Sequence, residues 1–255
     1  MVRPLYLQND QPEGVPPLEL TGERTLPDVP EENYWFQRHL VVYEWIAART
    51  HGRRAVDLAC GEGYGSAVLA RTAQSVVGVD ANPEAFEHAR AKYTSAKVSF
   101  ERDMVELWSG DVDCVVFLQT IEHVPDPDAV LEHVRDLIGP RGVAYVSTPN
   151  VLTLAPKGAE RSGNPWHVRE YKPAEFHELC ARHFGSVDML GLFHARRLRT
   201  HQFAIERLGW DAIHARLGIT QRFYDRFTQA ISVRDFALRR GQLDRALDFL
   251  AVLRR

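Results

Sequence analysis

The chain of 255 residues is 45% hydrophobic and 25% charged, the balance of an ordinary globular protein able to bury a sizeable core. Its net charge of −3, with 31 basic residues scattered along the chain, excludes the electrostatic footprint of a protein that grips nucleic acid or an anionic membrane. Cys60, Cys114 and Cys180 lie in apolar patterns without a C-x-x-C pair, so they read as buried, reduced thiols of a cytoplasmic protein. No secretory leader is expected, and every apolar run falls well short of the roughly 20 residues of a membrane span.

Prolines at 4, 12, 16, 17, 27 and 30 predict an extended segment over residues 1–30. A helical pattern follows over 32–49, and a doubly wound core is expected over 54–193. Within it, Asp126 is a helix cap and Pro127 fits the first turn. Val130, Leu131, Val134, Leu137 and Ile138 form one apolar face, and Gly139-Pro140 stops that helix. A fifth strand is expected over 142–147. Pro173 opens another helix, residues 186–193 form a sixth strand, and 247–253 form the last. Phe223, Phe227 and Ile231 repeat at four-residue spacing in a helical insertion over 196–231, which either covers the active site or packs on the sheet edge. The expected division is an N-terminal cover (1–50), a core (51–195), the insertion, and the C-terminal part of the sheet (232–255). The cluster Arg196, Arg197 and Arg199 reads as a solvated face. His51, His88, His133 and His183 read as surface residues.

The most informative stretch runs from Val56 to Ser66, where an apolar strand meets a turn with glycines at 61, 63 and 65 as a helix begins. Glycine allows positive φ and close approach of the main chain to a ligand, and the helix N-terminus offers unpaired N–H groups. This pattern alone suits a dinucleotide, another nucleotide-like cofactor, or a tight structural turn. A second strand ends at Asp80 and Ala81, where a carboxylate can accept ribose hydroxyls. Asp103-Met104 follow strand three, and Ile121-Glu122-His123-Val124-Pro125-Asp126-Pro127 follow strand four.

This combination resembles the class I S-adenosylmethionine-dependent methyltransferases. The resemblance implies an α/β fold with a doubly wound, Rossmann-like sheet of seven strands, mostly parallel with an antiparallel last strand. It also implies that Gly61, Gly63 and Gly65 hold the methionine part of S-adenosylmethionine, with Asp57 as the acid that ends strand one. Asp80 with Ala81 would hold the ribose, and Asp103 with Met104 the adenine. Arg38 would pair with the cofactor carboxylate, flanked by Tyr34.

Methyl transfer to a hydroxyl needs a group that removes or polarises the proton. Gln119, Glu122 and His123 stand at i, i+3 and i+4, so a helical turn there would aim all three to one side. Ser147-Thr148-Pro149-Asn150 and a loop carrying Asn164-Pro165-Trp166-His167-Val168-Arg169-Glu170 come later. The arrangement resembles small-RNA 2′-O-methyltransferases and, less fully, ubiquinone-biosynthesis O-methyltransferases, in which E-x-x-E-H binds a divalent cation. The resemblance makes Glu122, His123 and His167 metal ligands, with Gln119 as an oxygen donor in place of the first glutamate. Loss of that charge weakens the site, and two imidazoles favour Mn²⁺, Fe²⁺ or Co²⁺ beside the usual Mg²⁺. Two other readings stand: His123 or His167 as an unassisted base held by Glu122 or Glu170, and a structural cap.

Residues 20–27, 32–39, 164–170 and 192–198 are similar to an actinobacterial group that includes mycobacterial methyltransferases associated with 6-O-methylglucose lipopolysaccharide. That similarity implies a saccharide or glycoside acceptor. Trp35, Trp166 and Phe193 would offer flat faces to sugar C–H groups, and Glu23, Arg24, Asn164 and Arg169 hydrogen bonds to hydroxyls. Alternative acceptors are a quinone, a phenol, another natural product or an RNA ribose. Nucleic acid and membrane partners are not expected, and a monomer or homodimer fits equally. A sensor that binds the cofactor without chemistry is the non-enzymatic alternative.

Overall fold

The computed structural model describes residues 8, 11–20, 24–156, 158–200 and 226–255. Runs rich in Val and Ile form β1 (Arg54–Leu58), β2 (Ser75–Val79), β3 (Val98–Glu101), β4 (Val112–Leu118) and β5 (Ile138–Pro149), all parallel. In β1 and β4 nearly every residue is buried, as a parallel sheet covered on both faces requires. The sheet continues with β6 (Ser186–His194), β7 (Phe236–Arg239) and β8 (Asp248–Arg254), giving eight strands in the order β3-β2-β1-β4-β5-β8-β6-β7. β8 is antiparallel to both β5 and β6.

Helices α1 (Asn33–Ala47), α2 (Tyr64–Leu69) and α3 (Pro83–Tyr93) pack Val42, Ile46, Leu69 and Ala89 into the core on one face. On the other, α4 (Pro127–Leu137) and α6 (Pro173–Ala181) contribute Leu131, Val134, Phe176 and Leu179; the short α5 (Val151–Leu154) follows β5. Each fully buried Leu, Val or Phe contributes roughly 1.5–3 kcal/mol. Asn82 caps α3 by accepting from the Glu84 and Ala85 N–H groups, and Asp126 caps α4 by accepting from Ala129, each worth about 1 kcal/mol.

The Rossmann-like expectation holds, with corrections. Eight strands replace seven, because β7 adds an antiparallel edge whose four residues bury only Phe236. β5 begins at Ile138, directly after α4, and its pairing with β4 shifts register between Val112 and Cys114. Much of the expected 196–231 insertion, including Phe223, lies outside the described residues. Its described ends join the core, where Ile231 is buried and Phe227 packs against the same cluster, while Arg196, Arg197 and Arg199 are exposed as expected, Arg197 also pairing with Asp235 at 3.1 Å. His88 is fully buried, not a surface residue.

Candidate active site

A cavity of about 470 Å³ opens at the C-terminal ends of β1, β2, β4 and β5, where open α/β sheets bind their ligands. Gly61, Asp80, Ala81, Gln119, His123 and Trp166 are among its walls. Gly61 is held at φ +56°, and its N–H donates to Asp80 Oδ2 at 2.8 Å. Asp80 Oδ1 accepts from the Asn82 N–H at 2.9 Å, so the carboxylate is fixed at the rim. Beneath the turn, the buried Glu62 carboxylate accepts from Lys92 (2.8 Å), His88 (2.9 Å), Tyr93 (2.9 Å) and Gln8 (3.1 Å), joining the turn to α3 and the N-terminal segment.

The other two glycines answer to packing. A Cβ on Gly65 would lie 2.2 Å from the Tyr43 ring, and one on Gly63, at φ +95°, would lie 2.7 Å from Ala89. Neither lines the cavity. Asp57 is also set back from it: the fully buried carboxylate accepts from Ser66 (2.7 Å) and Tyr43 (3.1 Å), and burial raises it to about 7. Asp103 and Met104 do not line the cavity; Asp103 Oδ1 accepts from the Met104 N–H.

Arg38, expected to meet the cofactor carboxylate, is instead enclosed with Asp248. Its Nε donates to Asp248 Oδ2 at 2.6 Å, and its Nη2 to Asp248 Oδ1 at 2.5 Å and to the Leu247 carbonyl at 3.0 Å. A fork–fork pair of this kind is both strong and geometrically specific. Tyr34 turns its hydroxyl to His194 Nε2 at 2.7 Å rather than to the cavity. The α1 residues that reach the cavity are Val42, Tyr43 and His39, and sequence reasoning missed the histidine. Burial lowers it to about 4, so its imidazole is neutral. Thr25 Oγ1, from the N-terminal segment, lies 3.2 Å from His39 Nδ1 and 3.1 Å from the Tyr64 hydroxyl. All three residues line the cavity. Nothing but the histidine's place one residue past Arg38 could have signalled this.

Ala59 and Gln119 both hold positive φ, +54° and +52°, where β1 and β4 reach the cavity. A left-handed non-glycine residue costs roughly 1–3 kcal/mol, and such strain gathers at functional sites. It also places Gln119 outside the expected helical turn, which forms only over Ile121–His123. Gln119 lines the cavity and donates from Nε2 to Ser147 Oγ at 3.0 Å.

Glu122, His123 and His167 come together, each offering a ligand atom within 4.8 Å of the others. The Glu122 carbonyl accepts from the Val168 (2.9 Å) and Arg169 (3.0 Å) N–H groups, which pins the later loop to the turn after β4. His123 Nδ1 faces the Trp166 carbonyl at 2.9 Å, and His167 Nδ1 faces Glu170 Oε1 at 2.8 Å. Both partners only accept, so both imidazoles carry their proton on Nδ1 and the lone pair on Nε2. Asn164 donates to His167 Nε2 at 3.0 Å. Glu122 is 1% exposed, with Thr148 Oγ1 donating to it at 3.0 Å, and burial pushes its carboxyl up to about 8. Burial also acts to raise Glu170, but Ser162 and His167 together bring it below its ordinary value. Of the expected aromatic faces, Trp166 is about half exposed on the cavity wall, Trp35 lies under the Arg38 guanidinium, and Phe193 is buried beneath Arg239.

Residues 34–202 match the family model described as a methyltransferase domain. A probable S-adenosylmethionine-dependent methyltransferase of Mycolicibacterium smegmatis is 42% identical over 184 residues, covering 71% of each chain. A ubiquinone biosynthesis O-methyltransferase of Xanthomonas axonopodis is 32% identical over 150 residues, 52% of this chain and 63% of that one. In fold, the chain is similar to a possible histamine N-methyltransferase of Thermotoga maritima, with TM-score 0.58 and 16% identity over 88% of this chain and 95% of that one. Magnesium protoporphyrin IX methyltransferase of Synechocystis, solved with S-adenosylhomocysteine, gives TM-score 0.51 and 20% identity over 62% and 78%. Among the described residues no helix is long and apolar enough to cross a membrane. The chain belongs to the S-adenosylmethionine-dependent methyltransferases.

Proposed function

We propose that the protein transfers the methyl group of S-adenosylmethionine to a hydroxyl of a saccharide or glycoside. The observation that carries this reading is the meeting of Glu122, His123 and His167 beside the cofactor cavity, with the Trp166 ring on the same wall. A sugar hydroxyl is a poor nucleophile until its proton is polarised or removed, whereas an amine acceptor would not need this cluster. Trp166 offers an apolar face to sugar C–H groups, and Arg24 on the cavity wall offers hydrogen bonds to hydroxyls.

The residues fit a divalent cation. Two imidazoles and one carboxylate form a donor set suited to Mn²⁺, Fe²⁺ or Co²⁺ once Asn164 gives up its hydrogen bond to His167 Nε2, and Glu170 behind His167 is the usual outer partner of a ligating imidazole. Burial leaves Glu122 protonated at neutral pH when nothing compensates it, and a neighbouring cation would remove that cost. When bound, the ion supplies Lewis acidity that lowers the pKa of the acceptor hydroxyl. The chain's own residues orient the acceptor as the methyl moves in line from sulfur to oxygen; without the ion a histidine Nε2 receives the hydroxyl proton, and with both imidazoles on the ion that proton would leave to solvent. S-adenosylhomocysteine and the methyl ether are the products.

The test is methyl transfer by chelator-treated protein to a panel of glycosides, oligosaccharides, phenols and quinols, with and without added Mn²⁺ or Co²⁺. Metal-stimulated methylation of a sugar supports the reading. Turnover confined to phenols or quinols would overturn the saccharide assignment, and turnover indifferent to metal would assign proton removal to histidine alone.

A further inference from the structure

A second concavity, of about 700 Å³, lies at the opposite end of the sheet from the cofactor cavity. Arg53 precedes β1, Val143 lies before the centre of β5, and Arg254 ends the antiparallel β8. All three therefore mark the N-terminal edge of the parallel strands. Its floor is apolar, formed by Leu190, Leu238, Val252 and Val143 with Trp45 at one side. Its rim carries Arg49, Arg53, Arg239, Arg240 and Arg254, against a single acid, Asp188. Among the described residues only Arg240 of these five forms an ion pair, with Asp188 at 2.5 Å. Arg49 and Arg239 rest on the Trp45 and Phe193 rings, centroid distances 3.5 and 4.2 Å, and Arg49 Nη1 also donates to the Trp45 carbonyl at 2.8 Å.

A second observation points inward. Tyr145 is 3% exposed and lines this groove, yet its hydroxyl makes no hydrogen bond with the described protein. Burial raises it to about 12, so it remains a donor at any physiological pH, with Arg49, Arg53 and Arg254 close enough to oppose the rise. A phenolic donor without a protein acceptor, open to the groove beneath guanidiniums of which only Arg240 holds a carboxylate, is complementary to an oxyanion. The apolar floor asks that the anion carry a hydrocarbon body. Like charge around the rim disfavours a second copy of the same face.

We propose that this groove binds a small organic phosphate with an aliphatic tail, its phosphate held by Arg53, Arg254 and the Tyr145 hydroxyl and its tail laid along Leu190, Leu238 and Val252. The site is distinct from the methyl-transfer cavity, since the two share no lining residue.

The test is calorimetric titration of the full chain with octyl phosphate below its micelle concentration, beside inorganic phosphate and octyl glucoside. One saturable site per chain is expected for octyl phosphate, about tenfold tighter than either control and weakened by added salt. The double substitution Arg53→Gln and Arg254→Gln should weaken it about tenfold while leaving S-adenosylhomocysteine binding unchanged. Tyr145→Phe keeps the packing and should weaken it several-fold, serving if the double variant does not fold. Three outcomes overturn the proposal: no saturable binding, binding untouched by these substitutions, or inorganic phosphate binding as well as octyl phosphate. Displacement of octyl phosphate by a short RNA at lower concentration would assign the groove to nucleic acid instead.

Discussion

His123 and His167 meet edge to face, their ring centroids 5.1 Å apart, although one stands on the turn after β4 and the other in the loop after α5. Three hydrogen bonds hold those segments together: Val168 and Arg169 N–H to the Glu122 carbonyl, and His123 Nδ1 to the Trp166 carbonyl. The backbone therefore sets the pair before any ligand arrives, and side-chain substitutions there should act on chemistry more than on folding.

Glu170 is a positioning residue, since it reaches the site only through His167 Nδ1. Glu170→Gln keeps the shape but lets the side chain present an amide where a carboxylate accepted. Mn²⁺ affinity measured by titration should fall about 10- to 100-fold, with little change in S-adenosylhomocysteine binding. Unchanged metal affinity would remove Glu170 from the account.

The Glu122 carboxyl sets a pH dependence with a definite sign. Its ordinary value is 4.5 and burial lifts it to about 8, so the folded, metal-free protein keeps a proton that the unfolded chain has lost. The stability from this group is complete below the unfolded value and drains away as pH rises through the folded one. A bound cation must displace the same proton. Apparent Mn²⁺ affinity should therefore climb by up to about tenfold per pH unit below pH 8 and level off above it. Glu122→Gln should lack the stability slope in chelator. Affinity that stays flat from pH 6 to 8 would contradict the assignment.

Gly65→Ala should destabilise the fold by about 1–3 kcal/mol, because the new methyl meets the Tyr43 ring, which itself donates to Asp57. Gly61→Ala has open space, its nearest neighbour being Arg24 Cβ at 4.0 Å, and should cost only the strain of a φ of +56°. Urea unfolding of the two variants checks the order. A larger loss at Gly61 would reverse the division between packing and ligand approach drawn here.

Asp248→Ala should be more damaging than its distance from the turn suggests. Arg38 is 4% exposed, and without its partner a buried guanidinium stands uncompensated at a cost of about 3–5 kcal/mol. The double variant Arg38→Met with Asp248→Leu should recover most of that loss in the same unfolding measurement. Equal damage in the double variant would show that packing, rather than charge, is at stake.

The sheet was legible because its determinants are local. Apolar runs, the cap at Asp126, and glycines at a strand-to-helix turn all write their geometry into neighbouring residues. β7 was not legible, because Phe236–Arg239 is too short and too exposed to carry a period. The motif also placed three glycines in one role, whereas positive φ, a tyrosine ring and a cavity wall each claim a different one. Pairings across the chain left no local trace. Nothing near Arg38 announces Asp248, 210 residues away, and nothing near His88 announces Glu62. The Glu122, His123 and His167 cluster was readable only as a pattern resembling other enzymes, since its assembly depends on a loop returning to the turn after β4.

The most direct test of the account separates binding from chemistry at His167. The His167→Ala protein should bind S-adenosylhomocysteine within about threefold of the unaltered protein by calorimetry, while methyl transfer to its best glycoside acceptor falls by about 10²–10⁴. Full turnover in that variant, with cofactor binding intact, would contradict the role given to the histidine pair.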